Sequence, residues 1–182
     1  GAALSEHIDA SVIQEALEAF TAVPGRFELV KAGQDFSIIV DYAHTPDGVE
    51  NVLKTARKIA KKRIIAVFGC GGDRDRTKRP IMGRLAAELA DVVIATSDNP
   101  RTEDPAFILS QVEEAIGTKH HELIVDRRQA IYRAVEMAEK DDIVVILGKG
   151  HENYQILKDK TIHFDDKEEA RAAVAAKLAE KK

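Results

Sequence analysis

Two short segments carry the densest chemistry in this sequence: Asp98-Asn99-Pro100-Arg101 and Gly148-Lys149-Gly150-His151-Glu152. Arg101 follows a proline, which fixes one backbone angle and narrows the search of its loop. An arginine offers a planar fork of donors that matches a carboxylate in bidentate fashion. Arg74, in the segment Gly69-Cys70-Gly71-Gly72-Asp73-Arg74-Asp75-Arg76, supplies a second fork. Two guanidinium groups can enclose one carboxylate, and Glu152 can accept the ammonium that accompanies it. Taken singly, each of these residues is more often a plain surface charge. What raises them above that reading is where they fall along the chain.

Each segment directly follows an apolar run that reads as a buried strand. Val92-Val93-Ile94-Ala95 precedes the first, and Ile143-Val144-Val145-Ile146-Leu147 precedes the second. In an open α/β sheet, ligands bind just outside the carboxyl ends of the strands. A further segment, Asp41-Tyr42-Ala43-His44-Thr45-Pro46, follows the β-rich run Phe36–Val40 in the same way. Asp41 either accepts hydrogen bonds from ribose hydroxyls or caps the turn. His44 either reaches a phosphate or packs within the turn, and spacing alone does not choose between these.

The elements that must position these groups alternate. An opening helix over Asp9–Phe20 carries an apolar stripe of Val12, Ile13, Ala16, Leu17 and Phe20, with Asp9 as its N-cap and Pro24-Gly25 as the turn that ends it. Strands are expected at Phe27–Val30, Phe36–Val40, Arg63–Phe68, Asp91–Thr96, Glu122–Val125 and Asp142–Leu147. Helices are expected at Pro46–Lys62, Pro80–Ala90, Asp104–Ile116 and Arg127–Lys140. The tail departs from this rhythm with a β-hairpin, Tyr154–Leu157 and Thr161–Phe164 around Lys158-Asp159-Lys160, and a last helix over about Lys167–Ala179. Strands alternating with helices imply right-handed crossovers and a mostly parallel sheet covered on both faces. The fold class is therefore α/β: a Rossmann-like three-layer domain of about six strands, with a C-terminal β-hairpin plus helix.

Composition excludes several classes. The 182 residues hold 27 Lys and Arg against 31 Asp and Glu, so the net charge of -4 gives no strongly basic face for nucleic acid. One cysteine, Cys70, permits neither an internal disulfide nor a thiolate zinc site. No apolar stretch approaches the roughly 20 residues that span a bilayer. The expectation is a cytoplasmic chain with neither nucleic-acid nor membrane partners. His7, His120, His121 and His163 lack ligand-like spacing, and no metal site is expected.

The glycines after Phe68 resemble a dinucleotide fingerprint, but there the helix starts inside the glycine run and holds a pyrophosphate at its N-terminus. Here the next helix is expected near Pro80, too late for that geometry. The glycines instead let the backbone turn tightly and bring Asp73, Arg74, Asp75 and Arg76 to the rim, with Asp75 and Arg76 read as solvated charges. Nor does any Gly-x-x-x-x-Gly-Lys-[Ser/Thr] occur, so the main phosphate cradle of an ATP user would lie outside this sequence.

Taken in order, Pro24-Gly25-Arg26-Phe27-Glu28, Asp41–Pro46, Gly69–Asp75, Asp98–Arg101 and Gly148–Glu152 resemble the C-terminal domain of the Mur ligases. The likeness is to the branch that adds the third residue of the peptidoglycan peptide. It covers the chain from Val23 onward. Residues 24–182 would be the amino-acid-binding domain, and residues 1–23, which open without methionine, the tail of a central ATPase domain. The resemblance implies a ligase in which ATP phosphorylates the terminal carboxylate of UDP-MurNAc-L-Ala-D-Glu. The amine of a diamino acid then attacks the acyl-phosphate, in a cytoplasmic step of cell-wall synthesis.

By the same resemblance Arg74, Asp98, Asn99, Pro100, Arg101, Gly148 and Glu152 would bind meso-diaminopimelate, and Arg26, Asp41 and His44 would reach the nucleotide. ATP and Mg2+ would be held mainly by the central domain, and this domain would pack against the central and N-terminal domains of its own chain. No catalytic residue is assigned within these 182 residues, and alone they should be inactive. The Asp-Asn-Pro-Arg version points to diaminopimelate over L-lysine. An arginine left unpaired by lysine is penalised, and polar sites missing their partner discriminate by roughly 10⁴-fold. The rival readings are a ligase for L-lysine or another diamino acid, and a non-catalytic amino-acid or nucleotide-binding module.

Overall fold

The computed structural model describes residues 5–19 and 23–180. The strands at its centre are almost entirely apolar because both of their faces are covered. Five of them run parallel: β2 (Ser37–Asp41), β3 (Ile64–Phe68), β4 (Val92–Thr96), β5 (His121–Ile124) and β6 (Ile143–Leu147). A two-residue strand, β1 (Glu28–Leu29), adds to the β2 edge in the antiparallel sense. The order across the sheet is β1-β2-β6-β3-β4-β5. β6, the last of these in sequence, thus sits at the centre, in register with β2 on one side and β3 on the other.

Alternate side chains along each strand enter opposite layers. Ile39, Phe68, Ala95 and Leu147 pack beneath α2 (Pro46–Ile59), α3 (Lys78–Leu89) and α4 (Pro105–Glu113). Ile38, Val67, Ile94 and Ile146 pack on the other face, beneath α5 (Arg127–Met137) and α6 (Asp166–Glu180). The hairpin of β7 (Tyr154–Ile156) and β8 (Thr161–His163) separates β6 from α6. The three-layer α/β reading of the sequence therefore holds, with its mostly parallel sheet and its terminal hairpin and helix.

Helix starts follow their capping chemistry. The Thr45 hydroxyl accepts from Gly48 N–H at the start of α2, Asp104 from Ala106 at α4, and Asp126 from Gln129 at α5. Helix ends fall short of expectation. α5 stops at Met137 rather than Lys140, because the Asp142 carboxylate takes the Glu139 N–H and draws the chain out of the helix. α4 ends at Glu113 rather than Ile116, where the chain tightens into a turn from Ile116 N–H to the Glu113 carbonyl. α3 begins at Lys78, two residues before Pro80. The opening helix, α1 (Ala10–Ala19), forms behind the expected Asp9 cap, whose carboxylate accepts from Ser11. None of its residues is buried, and Val12 and Leu17 are 53% and 68% exposed; the expected Phe20 lies outside the described residues.

One buried ion pair ties the upper ends of the sheet to the far layer. Arg127 and Asp166 are both fully buried and bonded in bidentate fashion, at 2.7 Å for each contact. The same guanidinium donates to the Leu147 carbonyl at 3.0 Å and the Ser97 carbonyl at 3.4 Å, the points where β6 and β4 give way to their loops. Breaking a buried pair by removing one partner destabilises by about 3–5 kcal/mol, because a charge is left alone in a poor solvent. Asp166→Asn should therefore lower unfolding stability in urea by about that amount. A loss below about 1 kcal/mol would show that the pair contributes no more than a surface contact.

Candidate functional site

The loops after β2, β3, β4 and β6 meet at the carboxyl edge of the sheet and enclose a cleft of about 400 Å³. Arg74, Asp98, Asn99, Arg101, Gly148 and Glu152 all line it, so charges far apart in sequence share one cavity. Pro100 is buried behind it and turns the chain between Asn99 and Arg101. A larger groove of about 850 Å³, on the β5 side of the same loops, contains none of Arg74, Arg101 or Glu152.

The acidic wall is built in layers. Asn99 Nδ2 donates to Glu152 Oε2 at 3.1 Å, and Lys149 Nζ reaches the same oxygen at 3.2 Å. Lys149 is fully buried and also donates to the Tyr154 carbonyl, so it shapes the turn from within. Asp98 is buried as well, with one oxygen accepting its neighbour Asn99 N–H at 2.6 Å. Burial pushes its carboxyl above the usual range, against the opposing pull of Arg127 and Lys149. Such a group gains most from an added cation at its free oxygen. Gly148, at φ +117°, admits this arrangement: a Cβ there would lie 2.5 Å from Asp98 Oδ2.

Hairpin strand β7 holds the Asp98–Arg101 loop in shape. Ile156 N–H donates to Asn99 Oδ1 at 2.8 Å, Arg101 N–H to the Ile156 carbonyl at 3.1 Å, and Gln155 Nε2 to the Asp98 carbonyl at 2.7 Å. Arg101 adopts φ +52°, sparsely populated for a residue with a Cβ. Its Nη1 donates to the Gly72 carbonyl at 3.0 Å and the Asn99 carbonyl at 3.2 Å, leaving the rest of the fork for a ligand. Arg74 is exposed at the opposite lip, with Nη1 on the Asp73 carbonyl at 3.0 Å. The two arginine loops abut closely: Gly72 N–H donates to the Asn99 carbonyl at 2.9 Å, and a Cβ on Gly72 would fall 1.9 Å from the Pro100 carbonyl oxygen.

Arg26, Asp41 and His44 gather on the flank formed by the loop after β2. Both oxygens of buried Asp41 accept backbone N–H groups, from Phe27 and Ala43 at 2.7 Å each, so its capping work is visible in the geometry. His44 Nδ1 lies 2.7 Å from the Tyr42 carbonyl, with its ring edge-on to Tyr42. The Arg26 guanidinium sits 4.9 Å from the Tyr42 ring centre, and His151 approaches the same ring at 5.2 Å. His44 and Tyr42 line the cleft itself, which joins this flank to the charged pocket.

Several contributors carried no signal in the sequence. Arg79 is buried, and Glu103 lies beneath the arginine loops; neither belongs to a recognisable motif. Asp75 and Arg76 are both exposed, as the solvated reading expects, while Arg76 also pairs with Glu103 at 3.1 Å and Asp75 accepts from Thr77 at 2.6 Å. Cys70 and Met82 form an apolar floor, their sulfurs 3.8 Å apart. Burial pushes the Cys70 thiol up to about 12, which leaves it unreactive. Among the described residues no three His, Cys, Asp or Glu side chains cluster as a metal site, and no helix is long and apolar enough to cross a membrane.

A charged cleft at the carboxyl rim of a mostly parallel α/β sheet places this chain among ligase C-terminal domains. The glutamate ligase domain model of the Mur ligases matches residues 25–150, and the chain belongs to that family. It is 53% identical over 179 residues to the UDP-N-acetylmuramoyl-L-alanyl-D-glutamate–2,6-diaminopimelate ligase of Syntrophomonas wolfei, covering 97% of this chain and 37% of that protein. It is 56% identical over 170 residues to the ligase of the same name from Clostridium botulinum, covering 92% and 35%. A solved structure of a ligase with this name superposes with a TM-score of 0.81 at 43% identity, covering 97% of this chain and 37% of that one. The chain thus spans a little over a third of the length of these relatives. A UDP-N-acetylmuramate-alanine ligase from Thermotoga maritima shares the fold at 19% identity and a TM-score of 0.65.

Two outcomes follow from this geometry. Gly72→Ala should destabilise by about 1–3 kcal/mol, the usual penalty of forcing a methyl into filled space, in thermal or chemical unfolding. An unchanged midpoint would mean that the two loops are not in contact. The second concerns Glu103, whose carboxyl is held at about 2, chiefly by hydrogen bonds from Arg79. Its folded value lies below the ordinary 4.5, so its contribution to stability is complete above pH 4.5 and is lost as pH falls through 2. The stability gap between wild type and Glu103→Gln should accordingly be widest above pH 4.5 and close toward pH 2; a gap independent of pH would exclude the charge as its source.

Proposed function

We propose that this chain is the amino-acid-binding domain of an ATP-dependent ligase that joins meso-diaminopimelate to UDP-MurNAc-L-Ala-D-Glu. The observation that carries this reading is the sharing of one 400 Å³ cleft by Arg74 and Arg101 with Asp98, Asn99 and Glu152. Diaminopimelate carries a carboxylate that lysine lacks, and the two guanidinium groups supply its partners. Asp98 and Glu152 face the ammonium beside that carboxylate, and Asn99 fixes the Glu152 carboxylate in place.

In the reaction the γ-phosphoryl group of ATP passes to the terminal carboxylate of the D-glutamyl residue, giving an acyl-phosphate and ADP. The free amine of the diamino acid attacks the acyl carbon, and the tetrahedral intermediate expels phosphate as the amide forms. The part of this chain is to bind the amino acid at its far end, so that the reacting amine is presented toward the acceptor. Holding two reactants in line is worth several kcal/mol of the barrier, about 7–11 at the upper limit. Arg26 and His44 fit the nucleotide as it is brought down on this flank, a cation and an imidazole beside an aromatic ring, and Asp41 keeps the loop beneath them folded. Mg2+ would be held by the rest of the ligase, whose steps belong to the cytoplasm.

Calorimetry tests the reading directly. Meso-diaminopimelate should bind this chain more tightly than L-lysine, and Arg101→Ala should weaken it by about 10- to 100-fold, as expected for a charge-assisted pair of hydrogen bonds. Equal binding of the two amino acids, or wild-type affinity in Arg101→Ala, would overturn the assignment.

A further inference from the structure

The arginines that face the cleft come from different strands, and like charges that share a cavity repel. Among the described residues neither Arg74 nor Arg101 has a salt-bridge partner; their guanidinium hydrogen bonds go to backbone carbonyls. What fixes their separation lies behind them. Glu103 Oε1 accepts Asp73 N–H at 2.6 Å and Arg79 Nη2 at 2.9 Å, while Oε2 accepts Arg79 Nη1 at 3.0 Å and pairs with Arg76 at 3.1 Å. Arg79, only 1% exposed, also donates to the Gly71 carbonyl at 3.2 Å and to Gln111 Oε1 at 2.6 Å. Its Nε, by contrast, has no hydrogen-bond partner. Thr102 completes the clasp with Oγ1 on Asp73 Oδ1 at 2.6 Å.

Asp73 and Arg101, the residues flanking this clasp, both adopt left-handed backbone, at φ +55° and +52°. Such conformations persist only where surrounding contacts over-determine them, and they cluster at ligand clamps. We infer that Glu103 and Arg79 are positioning residues for selectivity. Arg79, buried in the cleft lining, and Glu103, bonded to it, lock the Asp73–Arg74 loop to the Arg101 loop, so that the guanidinium groups of Arg74 and Arg101 stand ready for the carboxylate that distinguishes a diamino dicarboxylate from lysine. The inference rests on the amino-acid reading above and deepens it. Glu103 offsets one of the two positive charges of Arg76 and Arg79 and turns both guanidinium groups toward itself, while Arg74 and Arg101 keep theirs at the cleft.

The test compares wild type, Glu103→Gln and Thr102→Val in the full-length ligase, with meso-diaminopimelate and L-lysine as competing substrates. Glu103→Gln should raise KM for diaminopimelate by about 10- to 100-fold, the scale of effect expected when binding groups are displaced by about 1 Å. Its kcat at saturation and its KM for ATP should stay within about threefold of wild type, while its kcat/KM for lysine scarcely changes, so that discrimination collapses. Thr102→Val, on the exposed side of the clasp, should move the same ratio in the same direction by less. A general loss of structure would instead lower every parameter for both amino acids, and that pattern in both variants overturns the inference. Unchanged discrimination in both variants, with wild type still preferring diaminopimelate, also overturns it while leaving the amino-acid reading intact. Wild type without that preference would sink the reading itself.

Discussion

The Arg127–Asp166 pair is the constraint on which the upper half of this domain depends. It is fully buried, and its guanidinium reaches carbonyls at the ends of both β4 and β6. An ion pair in such surroundings adds little net stability compared with apolar packing. What it does supply is direction. Four N–H donors on one rigid plane hold the start of α6 and the ends of β4 and β6 in a fixed relation, and Asp98 and Gly148 begin from that relation. Arg127 also lends positive potential to the buried Asp98 carboxyl, the least solvated anion in the cleft.

The cleft is consequently assembled from pieces that are each incomplete. The loop after β4 contributes Asn99 and Arg101, but β7 fixes the Asn99 side chain and the Arg101 backbone. The loop after β6 contributes Glu152, yet a buried lysine and Asn99 orient its carboxylate. The loop after β3 contributes Arg74, whose neighbours are fastened to Glu103. Preorganisation of this sort matters for a zwitterionic ligand, since surface arginines and glutamates otherwise lose side-chain entropy when they bind. Here the entropy is lost on folding.

Much of this was legible in the sequence because the relevant signals are local. Continuous apolar runs at Ile64–Phe68, Val92–Thr96 and Ile143–Leu147 identify strands covered on both faces, and Thr45-Pro46, Asp104-Pro105 and Asp126 mark helix starts. Knowing the strand ends was enough to put Arg74, Arg101 and Glu152 on one rim. Less was visible where the decisive contact is distant. The early end of α5 depends on Asp142 reaching back to Glu139, and nothing in the helical pattern anticipates it. The burial of Arg79 and Lys149 is invisible for the same reason: a charged residue is expected outside until its partner is known. Thr77, which precedes α3, makes no side-chain cap, and this explains why Pro80 was the more obvious start.

The place of β6 has a consequence for how the domain comes into being. Its partners β2 and β3 are separated from it by more than seventy residues of chain, yet it must lie between them. The facing edges of β2 and β3 have no native mate until the chain has been made as far as Leu147. Closing the sheet therefore requires the same stretch of chain that delivers Gly148 to Glu152. Until then these apolar edges are exposed to aggregation, and the nascent domain has no ligand pocket at all.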